Sequence, residues 1–451
     1  MLYPTSLVRS RRSRVALVVA VGWLVWLWHY HHTTAATAAS DHDPSTLAAD
    51  FPLAWKHIHM FNGTGGAWYI PEAWTTDIDG RYQQPHTILE AATYATAAAS
   101  GSLARRMDFA QIPLIVHQTW MTANIDGWTP MVVRCVERWL TYAVGQTPAV
   151  DEGGPSDNQD GPPMAYFFWD DAGIDTFMRT YEPDFVDAFY AFFSPVERAD
   201  IFRVLVCKWF GGIYGDVDTE PLRHPAKWIH QADLAAWTDP ETGATFGHNE
   251  TVPAADRESE SESDRDNVVD EDRPVTLLVG LEADVDPASD AYWRMGYTYP
   301  VQLTQWALAA APQHPALAHF IDLVRVLAAG GPNPVGTTVV DDPLLWTGPP
   351  AITAAISAWL QEHCGLRWNA VTGLHDNGKA KLVSDVLVLP ITGFSPGRGR
   401  YGNMGSKPVS DADARLFHHA QGSWRKFDVK DQLGKLCRTL FGLCRPESIP
   451  L

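Results

Sequence analysis

The segment from Ser194 to Leu222 constrains the fold more than any other part of this 451-residue chain. Ser194 is followed by Pro195 and, three residues after the serine, by Glu197, which is the pattern of a capping box with proline at the first helical position. A helix is therefore predicted to begin there. It is predicted to end at Gly211-Gly212, because glycine adopts the backbone conformations that close a helix.

Two carboxylates follow this glycine pair. A short extended piece is predicted at Ile213-Tyr214, and Asp216-Val217-Asp218 follows it. Residues two apart in an extended segment point the same way, so both carboxylates can converge on one cation. Val217 between them is expected to point into the core. Upstream, Asp200 and Arg203 are three apart and share a face of the predicted helix.

This arrangement suits transfer of a sugar from a sugar nucleotide. A diphosphate leaving group needs its charge neutralised, and a divalent ion held by one or two carboxylates does this. Alone, Asp216 and Asp218 also fit a solvated turn, and Asp200 with Arg203 also fits a surface ion pair worth less than about 1 kcal/mol. Their placement on either side of one glycine break favours the functional interpretation.

The composition is that of a globular protein, with 46% apolar and 19% charged residues. The formal charge of −19 argues against a nucleic-acid partner, because nucleic acids are bound by clustered positive charge. Part of this charge belongs to residues 250–272, which are interpreted as an acidic insert forming a loop.

From Ile112 onward, short apolar runs alternate with helical patterns, which is typical of an α/β domain with a largely parallel sheet. Strands are predicted at 113–116, 165–169, 275–281 and 386–391. Besides the helix from Pro195, helices are predicted from Pro130 onward and at 302–311, 315–329 and 349–363.

The N-terminus differs from the rest of the chain. Residues 1–14 contain four arginines and are interpreted as a cytosolic tail, and residues 15–30 are interpreted as the transmembrane signal anchor of a single-pass type II protein. A cleavable signal peptide is the alternative, because Ala36-Thr37-Ala38 resembles a cleavage site. Both interpretations place the following residues in a secretory lumen.

The remaining boundaries follow from composition. Residues 31–110, rich in Ala, Thr and His, are interpreted as a stem with weakly defined structure, and 429–451 as a C-terminal tail. A catalytic domain is assigned to 111–428. Cys437 and Cys444 are predicted to form a disulfide, with two buried thiols as the alternative.

The string ADIFRVLVCKWFGGIYGDVDTEPL, which begins at Ala199, resembles the central motif of glycosyltransferase family 32. Four further strings resemble its branch of fungal initiation-specific α-1,6-mannosyltransferases in order and spacing: IPLIVHQTW from Ile112, WTGPP from Trp346, SDVLVLPITGFSPG from Ser384 and HHAQGSW from His418. The resemblance covers about Ile112 to Trp424. It implies a GT-A type Rossmann-like fold and a nucleotide-sugar donor used with manganese.

The resemblance also implies roles for individual residues. Asp216 and Asp218 match positions that bind manganese and the donor diphosphate. Asp200 and Arg203 match positions that contact the donor sugar, and Tyr214 lies within the same donor-binding motif. Asp200, Arg203 and Asp218 are the residues expected to act in catalysis.

Three residues outside the central motif are assigned by the same resemblance. Trp120 matches a position where an aromatic ring packs on the nucleotide base in related toxin transferases, with a core tryptophan as the alternative. His418 is the candidate third metal ligand, and Trp424 is expected to cover the donor. His419 competes with His418 for this role, and in the alternative both histidines are polar groups at a strand end.

The expected activity is retaining α-1,6 transfer of mannose from GDP-mannose to the oligomannose core of N-glycans at the Golgi membrane. The leaving phosphate can itself accept the acceptor proton. Glu282, Asp284 and Gln305 are candidates for flanking the anomeric carbon. The alternatives are mannosyl transfer onto inositol-phosphoceramide and a catalytically inactive, membrane-anchored glycan-binding protein. Pro350 departs from the more usual WTGPG and puts the shape of the acceptor-side loop in question.

Overall fold

A computed structural model describes residues 44–75, 84–146, 160–248, 273–289, 291–332, 335, 343–398, 405–420 and 437. The predicted cytosolic tail, signal anchor and acidic insert lie outside these residues, as do Trp424 and Cys444. Within the described part of the chain, no helix has both the length and the apolar character needed to cross a membrane.

The strands are short, and most of their residues are buried. In chain order they are β1 Gly66–Tyr69, β2 Ile115–Thr119, β3 Ala165–Trp169, β4 Gly212–Gly215, β5 Thr219–Pro221, β6 Trp237–Thr238, β7 Thr245–Phe246, β8 Leu277–Asp284, β9 Val301–Leu303, β10 Ala307–Ala310, β11 Lys381–Val383, β12 Val386–Leu389 and β13 Leu416–His418.

The helices vary more in length. They are α1 Pro44–Asp50, α2 Pro52–Ala54, α3 Glu72–Thr75, α4 Ile88–Ser100, α5 Pro130–Ala143, α6 Asp171–Tyr181, α7 Val186–Ala191, α8 Pro195–Phe210, α9 Ala291–Arg294, α10 Pro315–Ala328, α11 Pro343–Thr347, α12 Pro349–Cys364 and α13 Ile391–Phe394. A single π-helical stretch, Trp55–His59, follows α2.

One sheet organises the fold. Its strands follow the order β1-β3-β2-β4-β10-β8-β12-β11, and β9 pairs with β8 outside this path. Strands β3, β2 and β4 are mutually parallel, as are β8 and β12, whereas the other pairs are antiparallel. The predicted α/β class is confirmed, but the sheet is mixed rather than largely parallel.

Local sequence signals account for the best predictions. Strand β3 has the predicted bounds, and α5 begins at Pro130 with the Thr129 hydroxyl accepting from the Val132 amide. Helix α8 carries the predicted capping box and ends at Gly211, whose φ of 66° is readily adopted only by glycine. These features depend on residues within a few positions of one another, so they can be recognised without knowledge of the tertiary fold.

The segment interpreted as a weakly structured stem is part of the folded domain wherever the structure describes it. Strand β1 pairs with β3 from Gly66↔Trp169 to Tyr69↔Tyr166, and buried alanines of α4 belong to the main core. That prediction is therefore wrong for 44–75 and 84–110. Alanine-rich composition was misleading because small side chains let α4 pack closely against the sheet.

The prediction of a helix at 302–311 is also wrong. These residues form β9 and β10, and both strands are buried. A short apolar run does not distinguish helix from strand by its periodicity, and here β4 and β8 supply partners for the backbone hydrogen bonds. Between the two strands, residues 304–306 leave the ladder and bring Gln305 and Trp306 toward the end of β4.

The structure describes four of the five cysteines. Cys437 is disulfide-bonded, and Cys135, Cys207 and Cys364 are free. Because Cys444 lies outside the described residues, its predicted pairing with Cys437 stays a prediction.

Candidate active site

The candidate site lies at the carboxyl end of the parallel strands. Helix α8 ends directly before β4, so it runs back across the sheet and its first half is near the end of β4. Asp216 follows β4 immediately, and its amide donates to the Trp306 carbonyl at 2.9 Å. The crossover therefore brings residues of α8 next to the Asp-x-Asp turn.

Arg203 is the centre of the site. Its Nη2 lies 3.3 Å from Asp200 Oδ1 and 3.2 Å from Asp216 Oδ1, while its Nη1 donates to the Gln305 carbonyl at 3.1 Å. The guanidinium thus joins the helix, the Asp-x-Asp turn and the β9–β10 connection. Arg203 is 7% exposed and Asp200 is 2% exposed, so the interpretation as an ordinary surface ion pair is wrong.

Asp200 also contacts Thr347, which lies in the same WTGPP motif as Pro350. Thr347 Oγ1 donates to Asp200 Oδ2 at 3.0 Å, and the amide of Gln305 donates to the Thr347 carbonyl at 2.6 Å. Pro350 occupies the first turn of α12, where proline is tolerated because the backbone N–H has no helical partner. The departure from the usual motif therefore leaves the helix intact.

Asp216 is fixed by groups beneath it. The Tyr214 hydroxyl donates to Asp216 Oδ1 at 2.7 Å, and the side-chain amide of Gln118 donates to the Asp216 carbonyl at 3.1 Å. Tyr214 is 1% exposed, and the Arg203 guanidinium lies 5.2 Å from the centre of its ring. Tyr214 is thus placed to orient Asp216, and its predicted contact with the donor stays a prediction.

Burial and charge act together on these groups. Burial raises the pKa of Asp200 to about 7, against the lowering effects of Arg203 and the Thr347 hydroxyl. Burial also raises the pKa of Asp216, again against Arg203. For Arg203, burial opposes the charged form, but Asp216, Tyr214 and Asp200 together raise its pKa above the ordinary value. The arginine therefore stays charged.

A second part of the site consists of Asp216, Asp218 and His418. One ligand atom from each lies within 4.8 Å of the others, and His418 Nε2 is 3.3 Å from Asp218 Oδ1. Among the described residues, His418 Nδ1 is buried without a hydrogen-bond partner. Two carboxylates and an imidazole form a donor set suited to manganese. The residues therefore fit a divalent cation.

The structure separates the two neighbouring histidines. Strand β13 pairs antiparallel with β5, and the His418 ring stacks on Trp306 with centroids 4.5 Å apart. His419 points elsewhere: its Nε2 lies 3.1 Å from Glu220 Oε2, which also faces Arg138. Successive residues of a strand point to opposite faces, so only His418 faces Asp218.

The other predicted residues have different surroundings. Trp120 follows β2 at the same sheet edge and is partly buried against the core, so stacking on a base stays a prediction. Gln305 joins the site through Arg203 and Thr347. Both oxygens of Asp284 accept hydrogen bonds from the 372–373 loop, and Glu282 accepts from Gln302 at 2.5 Å. These bonds give the two acids structural partners.

Sequence reasoning did not identify Gln118, Thr347 or Trp306 as parts of this site. Gln118 and Thr347 lie inside the quoted strings IPLIVHQTW and WTGPP, so those motifs contained a signal. Trp306 lay in a segment assigned to a helix. The β9–β10 connection places it beside Asp216 and the His418 ring.

Comparison with known proteins agrees with this geometry. Residues 156–235 match the family model described as "Glycosyltransferase sugar-binding region containing DXD motif". That range contains Asp216-Val217-Asp218, as well as Asp200 and Arg203. The part of the chain that holds most of the candidate site is thus similar to the sugar-binding region of DXD-containing glycosyltransferases.

The relatives are mannosyltransferases by name. The chain is 34% identical over 237 residues to an initiation-specific alpha-1,6-mannosyltransferase of Schizosaccharomyces pombe, which covers 51% of this chain and 47% of that protein. It is 26% identical over 263 residues to the Candida albicans protein of that name, covering 54% and 57%. It is also 28% identical over 146 residues to inositol phosphoceramide mannosyltransferase 3 of S. pombe, covering 31% and 35%. The resemblance to glycosyltransferase family 32 is confirmed.

The chain spans about half the length of the curated relatives it matches first. The solved structure of PaToxG glycosyltransferase aligns with a TM-score of 0.30 and 15% identity, over 63% of this chain and 78% of that one, a likeness too weak to support a conclusion.

Proposed function

We propose that this protein is a retaining mannosyltransferase that moves mannose from GDP-mannose, in α-1,6 linkage, to the oligomannose core of N-glycans. The main support for the proposal is that the Arg203 guanidinium forms ion pairs with both Asp200 and Asp216. These ion pairs lie beside the contact between Asp218 and His418. This arrangement combines a buried carboxylate, a fixed positive charge and a cation-binding set at one sheet edge.

Asp216, Asp218 and His418 would hold a divalent cation, proposed to be manganese. When bound, the cation supplies positive charge to the diphosphate leaving group. Tyr214 and Arg203 both contact Oδ1 of Asp216, so they fix the orientation of this carboxylate. Trp306 does the same for His418 by stacking on its ring.

Asp200 and Arg203 are proposed to position the donor sugar. Asp200 is held by Thr347 and Arg203 on both of its oxygens, so its orientation is fixed before a substrate binds. Arg203 contributes a fixed positive charge close to where the diphosphate charge develops. In the proposed mechanism the leaving phosphate takes the acceptor proton on the same face of the sugar, so no protein base is required.

The proposed acceptor rests on the names of the relatives and on how much of this chain each one matches. Those named initiation-specific alpha-1,6-mannosyltransferase match over a larger share of this chain than inositol phosphoceramide mannosyltransferase 3 does. This supports a glycan acceptor, and a ceramide acceptor is the second candidate. We also propose residence in the Golgi membrane through residues 15–30, with the catalytic domain in the lumen.

The activity is tested with the full chain in detergent, GDP-mannose, manganese and an oligomannose N-glycan. The expected product carries one additional hexose in α-1,6 linkage, with its anomeric configuration retained by NMR. Asp218→Ala should abolish it, whereas Asp322→Ala, which alters an exposed residue of α10, should not. Transfer to inositol-phosphoceramide instead would favour the second candidate, and no transfer to either acceptor would reject the assignment.

The proposed location has a separate test. The full chain should sediment with Golgi membranes, resist carbonate extraction and have its C-terminus protected from added protease. A secreted product that begins near residue 38 would contradict the uncleaved anchor.

A further inference from the structure

Phe193 is held outside the core at the beginning of α8. Its residue exposure is 96%, whereas Phe192 before it is 8% exposed. A fully exposed phenylalanine forgoes the stabilisation that burial of its ring would bring. Its position therefore calls for a physical explanation.

The loop around Phe193 is fixed on both sides. Arg198 Nη1 donates to the Phe192 carbonyl at 2.8 Å, and the Ser194 amide donates to Glu197 Oε2 at 2.9 Å. The Ser194 hydroxyl accepts from the Val196 amide at 3.2 Å. These bonds set the backbone on either side, so the ring of Phe193 is presented to solvent by a preorganised turn.

This turn lies on the active-site side of the sheet. Helix α8 begins at Pro195 and ends next to the start of β4, so its N-terminus is near the carboxyl end of that strand. Phe193 precedes Asp200 by seven residues, and the helix begins only at Pro195. At about 1.5 Å per helical residue and about 3.3 Å per extended residue, the two lie within roughly 15 Å of each other. A few linked sugar rings span such a distance.

The surroundings of Phe193 are polar. Asp184 and Asp187 in the preceding turns are exposed, and Arg198 is partly exposed one turn into the helix. A single ring with charged neighbours differs from the large apolar patches that mark membrane or protein contacts, and the acids oppose an anionic lipid surface. A sugar has an apolar C–H face and polar hydroxyl edges, so it matches both the ring and its rim.

We propose that Phe193 is an acceptor subsite, where its ring stacks on a pyranose of the glycan a few sugar units away from the reacting hydroxyl. This inference rests on the proposed glycan acceptor. Tyr190, three residues before Phe193, is 42% exposed, but its hydroxyl donates to Asp175 Oδ1 at 3.0 Å, so the proposal rests on Phe193 alone.

The test compares acceptors of different length with the full chain in detergent. Phe193→Ala should raise KM for a long oligomannose about fivefold to tenfold, leave kcat within twofold, and leave transfer to methyl α-mannoside unchanged. Phe193→Trp should restore the wild-type KM, because stacking needs an aromatic ring. An equal KM for Phe193→Ala and wild type on the long acceptor would overturn the proposal.

Leu103→Ala is the matched control. Leu103 is 51% exposed, and it lies near the start of β2, at the opposite sheet edge, where the Leu114 amide donates to the Arg105 carbonyl. Its substitution should leave KM for both acceptors unchanged. An equal rise in KM would show a general effect of lost surface hydrophobicity and would contradict the subsite.

Direct binding separates this inference from the proposed activity. Oligomannose is titrated into the full chain without donor, and line broadening of the glycan signals is followed by NMR. Weaker binding by Phe193→Ala than by wild type supports the subsite even if no transfer is detected. Equal binding, or no binding by wild type, rejects it. Weaker association of Phe193→Ala with lipid vesicles, with unchanged glycan binding, would assign the ring to a membrane.

Discussion

Arg203 and Asp216 belong to different elements, and the 3.2 Å ion pair between them ties helix α8 to the Asp-x-Asp turn. The same guanidinium contacts Asp200 at 3.3 Å, so a single side chain neutralises two buried or half-buried carboxylates. Removal of one partner from such a buried set leaves uncompensated charge.

Arg203→Ala should therefore affect both stability and activity. We expect the free energy of unfolding to fall by about 3 kcal/mol and sugar transfer to be lost, because Asp200 and Asp216 lose their shared cation. Urea unfolding and the transfer assay measure the two effects. Arg179→Ala removes an exposed arginine that pairs with Asp175 on α6, and it should leave both quantities unchanged. Wild-type stability of Arg203→Ala would show that the ion pairs contribute little.

The two histidines of β13 should respond differently to substitution. His418 faces Asp218, whereas His419 faces Glu220. His418→Ala should weaken manganese binding by at least about tenfold, because one of three donors is lost. His419→Ala should change it much less. The increase in melting temperature on titration with manganese measures binding by both variants. A larger loss of manganese binding in His419→Ala than in His418→Ala would contradict the assignment of His418.

Stability should fall as the pH falls because His117 is buried neutral. Trp169 Nε1 donates to its Nδ1 at 3.2 Å, so Nε2 carries the hydrogen and donates to the Gly211 carbonyl at 3.0 Å. Burial lowers the pKa of His117 to about 3 from 6.5. Between these values only the unfolded chain binds the proton. The stabilisation that the neutral His117 ring gives to the folded state is therefore complete above pH 6.5. Below that pH, the free energy of unfolding falls by up to about 1.4 kcal/mol per pH unit.

Urea unfolding at several pH values between 7 and 5 measures this dependence. His117→Gln removes the titrating ring, so its stability should depend less on pH than that of wild type. Some dependence should remain, because burial also lowers the pKa of His224 to about 4. An identical pH dependence in the variant would show that His117 does not contribute.

Gly212 should not tolerate a side chain. Its φ is 97°, and a Cβ atom there would lie 2.4 Å from the Ile115 carbonyl oxygen of the neighbouring strand. Gly212→Ala is expected to lower the free energy of unfolding by several kcal/mol, about 1 of them from the backbone conformation. Gly365→Ala, at φ 66° with open space around it, should show the conformational part only. Equal effects in urea unfolding would exclude the steric explanation.

The N-terminal limit of the folded unit can be tested by deletion. A chain that begins at residue 40 should fold, whereas one that begins at residue 101 should aggregate, because it lacks β1 and α4 and exposes one edge of β3. It also lacks Leu53 and Ala54, whose amides donate to the Glu137 carboxylate. Size-exclusion chromatography and circular dichroism distinguish the outcomes. A monomeric, cooperative protein from residue 101 would restore the interpretation of this segment as a spacer.

The sequence predicted the parts of the site that depend on neighbours in the chain. The capping box of α8, its end at Gly211 and the placement of Asp216 and Asp218 after a short strand all follow from residues a few positions apart. Local hydrogen bonds and backbone sterics determine such features, and both can be recognised in the linear sequence.

The sequence by itself therefore determined the α/β class, the main helix boundaries and the identity of the charged residues around the Asp-x-Asp turn. Only the tertiary structure decided that 302–311 forms two strands, that residues before 110 belong to the sheet, and that Thr347 holds Asp200. It also decided that His418, not His419, faces Asp218. Each of these depends on sheet register or on contacts between distant segments, because a shift of one residue turns a side chain to the opposite face.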